Sequence, residues 1–71
     1  MAQGLREIYL AIRPELLRFL AARRAEGDAE DIVQELFLKL DGAPSGPIAN
    51  PRAYLYRMAD NLLLDRRRSA R

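Results

Sequence analysis

Residues 28–40 read DAEDIVQELFLKL, and their pattern decides the fold. Ile32, Val33, Leu36, Phe37 and Leu40 fall at i, i+1, i+4, i+5 and i+8. That spacing lines one side of a helix and no side of a strand. Asp28 stands where an N-cap belongs, and Glu30 and Asp31 occupy the turn where the helix dipole favours negative charge. Gly42 is placed to stop the helix. The other side of the same helix presents Asp31, Gln34, Glu35 and Leu38, which project together. Two carboxylates and an amide around an apolar side chain suit a basic partner helix. They also suit a solvated face with one exposed leucine.

The rest of the chain is helical on both sides of this stretch. Before it, Leu5, Ile8, Tyr9, Ile12, Leu16, Phe19 and Leu20 form one stripe of a segment reaching from about Leu5 to Ala25. Pro14 lies inside that stripe and cannot donate a backbone hydrogen bond. The segment is therefore either a kinked helix or two helices meeting near Arg13. After it comes DGAPSGPIAN, residues 41–50, whose glycines and prolines make a loop; Ile48 is its one large apolar residue and a candidate to pin it to the core. Asn50-Pro51 then supplies an N-cap and a favoured first helical residue. The third segment runs to about Arg68, with Leu55, Met58, Ala59 and Leu62 facing inward. A second stripe of Tyr54, Arg57, Asn61, Asp65 and Arg68 follows it along another side. The expected fold is all-α, a compact bundle of three main helices, the first kinked or split near Pro14.

Length and composition limit the function. With 71 residues there is one small domain, which hides only about 60% of its unfolded surface. Hydrophobic residues make up 49% and charged residues 31%, too apolar a mixture for disorder. No apolar run approaches the roughly 20 residues of a membrane span, so no membrane insertion is expected. The first apolar residues stand among Arg6, Glu7 and Arg13, which is not a secretory leader, and a cytoplasmic location is expected. Cysteine and histidine are both missing from the chain. That removes disulfides, thiolate metal sites and the usual nucleophiles and general bases. Asp28, Glu30 and Asp31 lack the alternate-residue pattern and distal glutamate of a calcium loop. No catalytic residue, metal site or cofactor is expected.

Charge is segregated although the net is only +2. Five arginines against two acids give residues 1–25 a charge of +3. Six acids against Lys39 give residues 26–41 a charge of −5. Six arginines against two aspartates give residues 51–71 a charge of +4. An acidic middle and a basic end point to two partners, one basic and one polyanionic. In the third segment Arg52, Arg57, Arg66, Arg67, Arg68 and Arg71 offer phosphate contacts. Tyr54 and Tyr56 can stack on unpaired bases, and Asn61 can read a base edge. Alternatively the arginines are a solvated helix end favoured by the dipole, and Tyr56 is core.

DAEDIVQELFLKL followed by NPRAYLYRMADNLLLDRRR resembles region 2 of bacterial sigma factors, and within them the extracytoplasmic-function (ECF) group. NPRAYLYRMADNLLLD is similar to the iron-starvation type of that group, and IYLAIRPELLRFL to the opening helix of the domain. The resemblance covers about residues 5 to 70. It implies that Asp31, Gln34 and Glu35, with Leu38 beside them, dock on the β′ clamp helices of the RNA polymerase core. It further implies that the third segment binds the promoter −10 element as non-template single strand. Asn61 matches a position contacting a flipped base, Tyr54 the aromatic of the melting region, and the loop 41–50 the specificity loop. Arg57, Asp65, Arg66, Arg67 and Arg68 complete the expected DNA-binding set. An anti-sigma factor is the further partner it implies. Residues 1–71 are expected to be region 2 alone, without the region 4 domain that reads the −35 element, and so not to direct specific initiation unaided. Two other readings stay open: a three-helix duplex-DNA binder of helix-turn-helix or homeodomain type, and a protein-only helical adaptor. The ten-residue loop between the second and third segments is too long for a helix-turn-helix connection.

Overall fold

A computed structural model describes residues 4–23, 27–40 and 48–69 of the chain. Within them lie three helices, α1 (Leu5–Ala22), α2 (Ala29–Lys39) and α3 (Pro51–Ser69). Each packs against the other two. The all-α bundle expected from periodicity is the fold observed.

Pro14 lies inside α1, which is one helix and is not split. The physical reason is where the missing hydrogen bond falls. Pro14 would have bonded the carbonyl of Leu10, and both residues are exposed, so water can serve that carbonyl. On the opposite side Tyr9, Ile12, Leu16 and Leu20 are buried and hold both halves of the helix to one core. The described helix ends at Ala22, with the amide of Arg23 donating to the Leu20 carbonyl at 3.1 Å. The sequence-based end near Ala25 lies outside the described residues.

The two caps behave differently. Asn50 Oδ1 accepts the amide of Ala53 at 3.1 Å, and its carbonyl accepts that of Tyr54 at 3.0 Å. This is the N-cap expected for α3. Asp28 also precedes its helix, and its carbonyl accepts the Ile32 amide at 2.8 Å, but its side chain makes no capping bond. Its backbone, at φ −111° and ψ −6°, is not the extended conformation that aims a capping side chain at the first turn. The Asp28 carboxylate instead lies 3.8 Å from Arg66 Nη1. Asn50→Ala is therefore expected to cost about 1 kcal/mol, read as a lower midpoint in urea denaturation followed by far-UV circular dichroism.

Leu16, Leu20, Ile32, Val33, Leu36 and Leu55 are fully buried at the centre. Tyr9 joins them, and its hydroxyl donates to the Val33 carbonyl at 3.0 Å, so the one phenol drawn into the core has its partner. Phe37 packs against the Tyr9 ring at 5.3 Å between centroids. On α3 the inward face is Leu55, Ala59, Leu62 and Leu63. Leu63, outside the expected set, is buried, while Met58 sits partly covered at the edge. Ile48 is half-buried; Gly42 and most of the preceding loop lie outside the described residues.

Candidate functional site

The acidic face of α2 is real but not uniform. Asp31, Gln34 and Leu38 point to solvent, Leu38 with 64% of its surface exposed. Glu35 is turned toward α3, where its Oε1 accepts from Arg66 Nη2 at 3.3 Å. The face thus has a free centre and a flank tied into the bundle. On its other flank a shallow groove of about 250 Å³ opens between α1 and α2, lined by Tyr9, Leu10, Arg13, Glu30, Gln34 and Phe37. Arg13 and Glu30 pair across it at 3.3 Å. Leu10, 61% exposed, is its apolar lip and escaped the sequence reading. Its signal was its place on the α1 side opposite the core stripe, where a leucine is not needed for packing.

The expected nucleic-acid residues of α3 separate into two sets. Arg57, Asn61, Asp65 and Arg68 are exposed and Tyr54 is half-buried, all on the side away from the bundle. Leu64, 42% exposed, stands among them. Arg68 pairs with Asp65 at 3.1 Å on the same helix. Arg66 and Arg67 turn back instead. Arg66 reaches Glu35 and Asp28 on the α2 side. Arg67 donates to the Arg23 carbonyl at the end of α1, where Arg23 also pairs with Asp60 at 2.9 Å. Both arginines tie α3 to its neighbours in this structure.

Tyr56 belongs to the packing rather than to the outer stripe. Its ring meets Phe19 edge-on at 5.0 Å, and its hydroxyl donates to Glu15 Oε2 at 3.2 Å. Burial pushes its hydroxyl above the usual tyrosine pKa, and the hydrogen bond to Glu15 adds to the rise. The Arg52 guanidinium lies over the same ring, 5.6 Å from its centroid, and bonds Glu15.

Among the described residues no group of acidic side chains is placed to hold a metal ion. None of the described helices is long and apolar enough to cross a membrane. What the molecule offers is two chemically different surfaces on two helices: carboxylates and an amide around Leu38, and an aromatic–amide–arginine stripe.

The chain is similar to the ECF RNA polymerase sigma factor SigJ of Mycobacterium tuberculosis (strain ATCC 25618 / H37Rv), with 54% identity over 43 residues. That match covers 61% of this chain and 14% of the relative, so the chain spans a small part of that protein's length. No solved structure matches it. The family model described as Sigma-70 region 2 matches residues 8–71, taking in all of α2 and α3 and most of α1, and the chain belongs to that family.

Proposed function

We propose that this chain is region 2 of an ECF sigma factor: a non-enzymatic transcription initiation module that docks on polymerase and binds promoter DNA. Asp31, Gln34 and Leu38, with Glu35 at the edge, meet the β′ clamp helices. Tyr54, Arg57 and Asn61 take the non-template strand of the −10 element, with Asp65 and Arg68 further along the stripe. Arg66 and Arg67 act on that strand only by leaving their present partners. The similarity of NPRAYLYRMADNLLLD to the iron-starvation type, an anti-sigma partner and a cytoplasmic location belong to the same reading.

The observation that carries it is the separation of surfaces. Asp31, Gln34 and Leu38 lie exposed on α2, and Arg57 and Asn61 lie exposed on α3. The two partners can therefore be held at once. The stripe has what an unpaired strand requires: an aromatic to stack on, an amide for a base edge and a guanidinium for phosphate.

Asn61→Ala tests the DNA half. Its affinity for a −10-like single strand is expected to fall about tenfold, as for a lost base-edge contact. Affinity for a scrambled strand of equal length should change little. Fluorescence anisotropy at one fixed salt concentration reads both. An equal loss on both strands contradicts a reading role for Asn61. Tighter binding to duplex than to single strand favours the helix-turn-helix alternative.

A further inference from the structure

Most arginines of α3 are engaged within the bundle. Arg66 is held by Glu35, Arg67 by the Arg23 carbonyl and Arg68 by Asp65. Arg52 is held by Glu15. Among the described residues Arg57 has no ion pair or hydrogen bond of this kind. These restraints are not equivalent. The Arg68–Asp65 pair is three residues apart and well exposed, at 77% and 64%, and such a pair is readily exchanged for a phosphate.

The restraint on Arg52 is built more firmly. Glu15 comes from a different helix, 37 residues away in the chain. Its Oε2 accepts from Arg52 and from the Tyr56 hydroxyl together. The Tyr56 ring lies under the guanidinium and is itself braced by Phe19, which packs on the core. The carboxylate, the ring and the core behind it fix the cation at the first turn of α3. Yet 57% of the Arg52 side chain is exposed, and among the described residues Glu15 and Tyr56 are the partners that hold its guanidinium. A guanidinium bonded to a carboxylate is lost to phosphate, and the carboxylate repels a polyanion on its own account.

We propose that Glu15 sets the sequence-independent nucleic-acid affinity of this domain by withholding Arg52 from the phosphate backbone. The inference rests on the reading that α3 binds nucleic acid. A phosphate contact strengthens binding to every sequence alike. Withholding one keeps the domain from being taken up by bulk nucleic acid while the base-contacting stripe stays in place.

The test is the salt dependence of single-strand binding for the wild type, Glu15→Gln, Arg52→Ala and the double variant. Glu7→Gln, which removes an exposed acid of α1, controls for net charge. Glu15→Gln is expected to steepen the slope of log affinity against log salt by about 0.7, one added phosphate contact on a single strand. Affinity at low salt should rise severalfold, equally for matched and scrambled strands. The steepening should vanish in the Arg52→Ala background and not occur in Glu7→Gln. A slope unchanged in Glu15→Gln, or steepened equally by Glu7→Gln or with Arg52 removed, overturns the inference and leaves the DNA-binding reading intact. A merely structural Glu15 would lower melting temperature and affinity without steepening the slope, which also overturns it. If the folded wild type binds no single strand, the reading itself fails and the inference falls with it.

Discussion

Leu36→Ala is expected to remove about 3 kcal/mol of folding stability, while Leu38→Ala removes less than about 0.5. The two leucines are two residues apart on one helix. Leu36 has no exposed surface and Leu38 is 64% exposed. Truncating Leu36 loses the transfer free energy of its buried carbons and leaves a cavity where α1, α2 and α3 converge. A domain of this length has about 4–10 kcal/mol of stability in all. The loss should therefore lower the melting temperature by about 15 °C or more. Thermal denaturation of both variants by far-UV circular dichroism measures the difference. Equal, small losses would place the core elsewhere than between these helices.

The fold was legible because periodicity and punctuation agreed. The apolar stripe of α2 and the Asn50-Pro51 start of α3 each carried their own physical reason, and the helices formed there. Pro14 was ambiguous because a proline removes one hydrogen bond wherever it lies. Whether that breaks a helix depends on which side faces water, and that follows from packing. Asp28 occupies the N-cap position that its residue type suggests, but its side chain makes no capping bond, because that bond needs an extended backbone at the residue.

Arg66 has a sharper lesson. It lies three and four residues beyond Leu63 and Leu62, so it continues the buried side of α3 and belongs at the core edge. Its charge suits a phosphate contact, while its phase also puts it within reach of Glu35 and Asp28. Met58 is partly buried against the core and Leu63 is buried within it, so the inward face of α3 is centred nearer to Arg66 than Leu55, Met58, Ala59 and Leu62 alone suggest. Arg67 was harder to place. Nothing local says that its guanidinium reaches the carbonyl of Arg23, 44 residues away; that contact exists only once α1 and α3 are packed. The outer stripe, by contrast, needed only helical spacing, and Arg57, Asn61, Asp65 and Arg68 are all exposed on α3.

The same geometry decides how the proposed polymerase dock should be probed. Reversing Glu35 would set a cation against Arg66, its partner at 3.3 Å, and disturb the bundle together with any interface. Asp31 is exposed and, among the described residues, makes no ion pair. Its reversal should leave the fold intact and place like charges together in a docked complex, which costs several kcal/mol. The measurement is binding of the domain to an isolated β′ clamp-helix segment by titration calorimetry, for the wild type and Asp31→Arg, with the melting temperature of each recorded. The account predicts a Kd in the micromolar range or tighter for the wild type. For Asp31→Arg it predicts weakening of about 100-fold or more at unchanged melting temperature. No binding by the folded wild type, or equal binding by Asp31→Arg, would contradict the docking role of the α2 face.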